Sequence, residues 1–274
     1  MGRHFTKIRD FTREEASFLL DRAKWMKDTR HTSSLLAGKT LVLLFEKAST
    51  RTRLSFEVGI RQLGGQTIFM TPAESQLGRS EPLKDTARII SRYNDGMVVR
   101  TFGQATLDQL IAYGSVPVIN ALTDEGHPCQ VMGDLLTIYE RTPDFSSLRL
   151  AWVGDGNNMA NSWIEAAIYF PFQLTLACPE GYDPHPGILE DARAAGARVR
   201  LTRSPAEALA GAHYVNTDVW ASMGQEAEQA VRRAAFAAWH IDADMMRLAA
   251  PGARFMHCLP AHRGEEMTEE VFEG

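Results

Sequence analysis

Five consecutive residues, Ser49-Thr50-Arg51-Thr52-Arg53, place hydroxyl donors and fixed positive charge directly after the apolar run Leu41-Val42-Leu43-Leu44-Phe45. Helical periodicity begins immediately behind them, so the segment also presents the free backbone N–H groups of a helix N-terminus. Hydroxyls, amides and guanidinium groups gathered at a strand-to-helix turn suit a phosphate dianion in geometry and in field. Taken alone, the segment reads equally as a Ser/Thr helix cap with surface arginines, the commoner use of such residues.

Other places along the chain offer polar groups where ligands bind. Arg100 lies near the end of the β-rich run Met97-Val98-Val99-Arg100-Thr101-Phe102, at the strand edge where α/β proteins keep their ligands, although a surface arginine would look the same. In His127-Pro128-Cys129-Gln130 an imidazole and an amide stand at a helix start, where they can donate to a carbonyl oxygen and stabilise developing negative charge. The plainer account makes Pro128 a favoured first helical residue and His127 a partly buried neighbour.

Asp218-Val219-Trp220-Ala221-Ser222-Met223-Gly224 brings a carboxylate and a hydroxyl together in a loop, a pair suited to an ammonium group. A turn in which Gly224 supplies an unusual backbone angle is the competing account. Arg254-Phe255-Met256-His257-Cys258-Leu259-Pro260 ends at a cysteine, and a single cysteine is most often an inert core residue. Val153-Gly154-Asp155-Gly156-Asn157-Asn158 invites a dinucleotide reading, but the third glycine would have to stand at Met159 and Glu180 sits on a loop. Asn158 fits better as a polar contact to a small substrate.

The scaffold for these groups is legible in the pattern of apolar residues. β-rich runs at 40–45, 66–70, 97–102 and 117–122 alternate with helical stripes such as Phe56, Ile60, Leu63 and Leu83, Ala87, Ile90. After the turn-rich Thr142-Pro143-Asp144-Phe145-Ser146-Ser147, strands are expected at 149–153, 173–177, 198–202, 213–217 and 254–259, with a helix over 227–239. The expectation is an α/β fold of two tandem Rossmann-like domains, each a parallel sheet flanked by helices, spanning 1–143 and 144–274. A ligand cleft between them, near the carboxyl ends of strands, follows from that architecture.

Composition narrows the partners. The 274 residues carry 29 Lys and Arg against 34 Asp and Glu, a net charge of -5, which argues against the broad basic face of a nucleic-acid binder. No stretch approaches a membrane span and no signal-peptide core follows Met1, so the cytoplasm is the expected location. Cys129, Cys178 and Cys258 are too few and too far apart for a disulfide framework or a zinc cluster, so no metal is expected.

Together, in order and content, these segments resemble the ornithine branch of the aspartate/ornithine carbamoyltransferases over essentially the whole chain. The resemblance implies transfer of a carbamoyl group from carbamoyl phosphate to the side-chain amine of L-ornithine, in arginine metabolism, with no cofactor. It gives Ser49, Thr50, Arg51, Thr52, Gln76 and Arg100 to the phosphate, and His127 and Gln130 to the carbamoyl end. Asn158, Asp218, Ser222 and Met223 would hold the ornithine backbone groups, with Asp218 facing the α-ammonium and Asn158 the α-carboxylate. Cys258 and Leu259 would border the carbamoyl phosphate beside the reacting amine, and Arg51, Arg100, His127 and Cys258 form the implied catalytic set.

The aspartate branch must grip a second carboxylate with basic side chains, and the 218–224 loop resembles the ornithine branch instead. Acetylated or succinylated ornithine and putrescine rank lower as acceptors, since each would need a different loop. The resemblance also implies a homotrimer, and a further arginine and a helix beyond Gly274. Two rival readings are a nicotinamide-dependent dehydrogenase, on the incomplete glycine pattern, and a non-catalytic binding protein.

Overall fold

The computed structural model describes residues 3–75, 81–221, 224 and 226–274. Two compact units divide the chain after Glu140, Met1–Glu140 and Arg141–Gly274. Among the described residues no helix is long and apolar enough to cross a membrane.

The first unit runs α1 (Arg13–Asp28), β1 (Thr40–Phe45), α2 (Thr50–Gln62), β2 (Gln66–Met70), α3 (Leu83–Tyr93), β3 (Gly96–Arg100), α4 (Gln104–Tyr113), β4 (Val118–Leu122) and α5 (Pro128–Tyr139). Its parallel sheet has the order β2-β1-β3-β4. Both faces of β1 and β3 are covered, which explains their unbroken apolar sequences. Val42, Leu44, Met97 and Val99 pack with Ala87 of α3 and Leu107 of α4, while Leu43, Phe45 and Val98 pack with Ile60 of α2. The register pairs Phe45 with Arg100, so β1 and β3 end level and their polar successors share one edge.

The second unit runs β5 (Arg149–Val153), α6 (Asn158–Tyr169), β6 (Gln173–Ala177), α7 (Pro186–Ala194), β7 (Arg198–Thr202), α8 (Pro205–Leu209), β8 (Tyr214–Thr217), α9 (Gln229–Phe236), α10 (Ala243–Met246), β9 (Arg254–His257) and α11 (Glu269–Glu273). Its parallel sheet has the order β7-β6-β5-β8-β9. The chain winds outward from β5 in one direction and then crosses to β8 on the other side. The carboxyl ends of β5 and β8 therefore flank a topological switch point, where such sheets bind ligands.

The expected α/β class with two helix-flanked parallel sheets is the observed one. Some boundaries differ for local reasons. β3 stops at Arg100, where the ladder to β4 shifts register and the Thr101 hydroxyl turns to the Glu46 carboxylate. β9 stops at His257, because Leu259 adopts a left-handed φ of 61° that no strand tolerates. The expected helix over 227–239 is a helix only from Gln229 to Phe236, with single 3-10 turns at Glu226–Glu228 and Ala237–Trp239.

Candidate active site

In the first unit the described members of the expected anion-binding set stand at the end of β3 and at two helix starts. Ser49 is the N-cap of α2: its Oγ accepts from Thr52 N at 3.3 Å and donates to Thr52 Oγ1 at 2.9 Å. Capping and anion binding are compatible here, since the cap fixes the first turn with its other N–H groups pointing off the helix end. Thr50 and Arg51 are exposed. Arg53 is differently employed: Nε donates to Glu57 Oε1 at 2.8 Å, and its guanidinium lies 3.7 Å from the Phe69 ring centroid.

Arg100 closes β3 with only 9% of its surface exposed, and its carbonyl accepts from Glu46 N at 2.8 Å. His127, the residue before Pro128 at the start of α5, is buried at 8%. Burial, and then the neighbouring Arg100 charge, pushes its pKa down to about 3, so the imidazole is neutral at pH 7. A neutral imidazole beside a guanidinium can donate to a carbonyl oxygen without carrying a proton that it must release. Gln130 donates through Nε2 to Asp134 Oδ1 at 2.9 Å, which fixes its amide one turn into α5. Cys129 donates to the Asn120 carbonyl at 3.3 Å, and burial pushes its thiol up to about 12, the behaviour of a core cysteine.

In the second unit the switch point brings β5, β8 and β9 residues together around Asp218. Its carboxylate is 7% exposed and accepts from three neutral donors: Asn157 Nδ2 at 2.8 Å, Val219 N at 2.8 Å and Cys258 Sγ at 3.0 Å. Among the described residues Asp218 has no ion-pair partner, so neutral donors alone satisfy this buried carboxylate. Asn158 opens α6 one residue beyond Asn157, whose Oδ1 caps that helix by accepting from Met159 N and Ala160 N. Leu259 is held by a hydrogen bond from its N to His257 Nδ1 at 2.9 Å.

The glycine turn after β5 is occupied by protein. Gly156 N donates to the Tyr182 carbonyl at 2.8 Å, and a Cβ at Gly156 would meet Pro184 N at 2.1 Å. Its missing side chain makes room for the 182–184 backbone, which removes the main support for a dinucleotide cradle.

Sequence reasoning overlooked Asn157, hidden beside the more obvious Asn158, and Lys47. Lys47 is 5% exposed, paired with Asp124, with its ammonium 4.4 Å from the Phe102 ring centroid, two residues before the Ser49 cap. A lysine two residues before Ser49 was the available signal. Gln76, Ser222 and Met223 lie outside the described residues. Although no metal is expected, Asp218, His257 and Cys258 place one ligand atom each within 4.8 Å of one another, as do His262, Glu265 and Glu266, so either trio could hold an ion.

The carbamoyl-P binding domain of the aspartate/ornithine carbamoyltransferases matches residues 3–140, and their Asp/Orn binding domain matches residues 146–274. The chain belongs to that family. An ornithine carbamoyltransferase of Oleidesulfovibrio alaskensis is 68% identical over 273 residues, covering 100% of this chain and 91% of the relative. Among solved structures, the anabolic ornithine carbamoyltransferase of Campylobacter jejuni aligns at 41% identity with a TM-score of 0.94, covering 99% of this chain and 91% of that one. The ornithine carbamoyltransferase of Thermus thermophilus aligns at 37% identity with a TM-score of 0.91, covering 100% of this chain and 91% of that one. Within this carbamoyltransferase family, the first unit corresponds to the carbamoyl-P domain and the second to the acceptor domain.

Proposed function

We propose that this carbamoyltransferase moves the carbamoyl group of carbamoyl phosphate to the side-chain amine of L-ornithine, giving L-citrulline and phosphate. The observation that carries the choice of acceptor is Asp218, a buried carboxylate with three neutral donors and no cation among the described residues. An α-ammonium completes that set. Aspartate has a single amine, which must be the neutral nucleophile, and so has no ammonium left to offer Asp218.

Ser49, Thr50, Arg51 and Thr52 take the phosphate with Arg100, while His127 and Gln130 take the carbamoyl end. Asn158 takes the acceptor α-carboxylate from the N-terminus of α6, where the helix dipole favours an anion. An alkylammonium titrates near ~10.4, so the acceptor must lose a proton before its nitrogen attacks the carbamoyl carbon. Negative charge then builds on the carbonyl oxygen, which Arg100 and neutral His127 stabilise, and the C–O bond breaks with its electron pair leaving on phosphate, which takes up the proton given up by the attacking nitrogen. Positioning and charge stabilisation supply the rate enhancement without a covalent intermediate.

Cys258 is assigned an orienting role. Its S–H donates to Asp218 Oδ1 at 3.0 Å, a contact that fixes the carboxylate from the side of β9. Arginine biosynthesis, a cytoplasmic location and a homotrimeric assembly belong to the same reading, supported for the first by the anabolic C. jejuni relative. Phosphate release measured with carbamoyl phosphate and, separately, L-ornithine, acetylornithine, putrescine or L-aspartate tests the function: ornithine should dominate, and release with another acceptor in preference would overturn the reading.

A further inference from the structure

We infer that Arg232 is a positioning residue for acceptor binding, a second tie that holds the loop after β8 to the turn after β5 and so keeps Asp218 aimed. This inference rests on the proposed ornithine reading for its substrate and on the following contacts for its geometry.

Arg232, on α9, is 9% exposed in its side chain, and its partner Asp155 is 11% exposed. Nη1 donates to Asp155 Oδ2 at 2.8 Å and to the Trp220 carbonyl at 3.1 Å, while Nε donates to Glu228 Oε2 at 3.0 Å. The Tyr182 ring centroid is 5.1 Å from the guanidinium carbon. One side chain thus touches segments that follow β5, β6 and β8, all at the carboxyl edge of the sheet.

Asp155 lies two residues before Asn157, and Trp220 two residues after Asp218. Asn157 bonds Asp218 directly, and Arg232 bonds Asp155 to Trp220, so two ties join the same pair of segments. Each end is also anchored: the Asp155 carbonyl accepts from Trp152 Nε1 at 2.9 Å, and the Trp220 ring stacks on Phe236 with centroids 6.0 Å apart. A buried guanidinium-carboxylate pair roughly breaks even in stability against apolar replacements, because desolvation offsets attraction. What it supplies that apolar residues cannot is a directional contact to one backbone carbonyl, and that carbonyl belongs to the acceptor loop.

The test compares the full chain with Arg232→Met and Arg232→Lys. Arg232→Met should raise the KM for L-ornithine about tenfold or more while leaving the KM for carbamoyl phosphate within about twofold, a split expected of lost acceptor positioning. Arg232→Lys should recover part of the loss, since an ammonium keeps a positive charge opposite Asp155 but cannot reproduce the Nη1 and Nε contacts to Asp155, Trp220 and Glu228 together. Independently of any substrate, amide exchange at Val219, Trp220 and Ala221 should quicken about tenfold in Arg232→Met, with β1 and β3 unchanged. An unchanged ornithine KM, equal changes in both KM values, or unchanged exchange at those amides would overturn the inference. A wild-type chain that makes no citrulline would instead overturn the functional reading, and the exchange experiment would still decide the role of Arg232.

Discussion

Asn157 and Asp218, 61 residues apart in sequence, meet through a 2.8 Å hydrogen bond from Asn157 Nδ2 to Asp218 Oδ2. The same Asn157 side chain uses its other atom, Oδ1, to cap α6. One amide therefore sets both the helix start that carries Asn158 and the orientation of the Asp218 carboxylate.

Replacing Asn157 with Ala should damage acceptor binding beyond what loss of a cap explains. Cap loss costs about 1 kcal/mol of stability. The KM for ornithine should rise about 10- to 100-fold, because truncating a partner of a buried charge costs roughly 2 kcal/mol or more. Steady-state kinetics with each substrate varied in turn checks this, and an equal rise for carbamoyl phosphate would count against it.

The phosphate clamp is tested by Arg51→Gln. Arg51 is exposed, so stability should change by less than about 0.5 kcal/mol. Binding of carbamoyl phosphate, measured by calorimetry, should weaken by about 2 to 5 kcal/mol if the guanidinium pairs with a desolvated phosphate. Unchanged affinity would remove Arg51 from the site.

His127 makes a pH prediction of defined sign. Its folded pKa of about 3 lies below the ordinary value of 6.5, so below pH 6.5 the unfolded chain takes up a proton that the folded chain refuses. The stabilisation is present in full above pH 6.5 and is lost as pH falls toward 3, at about 1.4 kcal/mol per pH unit. Denaturant melts of wild type and His127→Gln between pH 7 and about 4 should show the wild type losing stability more steeply. Parallel slopes would mean the imidazole is charged in the folded protein.

Cys258→Ser keeps a donor to Asp218, whereas Cys258→Ala removes it. The orienting role predicts a modest, pH-independent loss of turnover for serine and a larger one for alanine. A serine defect that deepens toward low pH would restore the cysteine as proton acceptor.

The sheets were readable because β1, β3, β5 and β6 are short apolar runs buried on both faces, punctuated by turn residues. Arg100 and Asp218 could be expected at strand ends because charge interrupts an apolar run just where the edge must be. Asn157 was not legible, since nothing in the adjacent asparagines says which one caps the helix and bonds Asp218. Arg232 carries no signal of its own within the helical pattern at 227–239. Its burial depends on Asp155, a partner 77 residues away that no local pattern reveals. The incomplete glycine pattern at Gly156 was rightly set aside, but its true use was not legible: its empty side is filled by backbone from the loop at 182–184.

The central claim is that Asp218 holds the α-ammonium so that the side-chain nitrogen alone attacks. Carbon-13 NMR of the product formed from 13C-labelled carbamoyl phosphate and 15N-labelled ornithine reads this directly. The account predicts carbon-nitrogen coupling to the side-chain nitrogen only. Coupling to the α-nitrogen, or no labelled ornithine product at all, would contradict it.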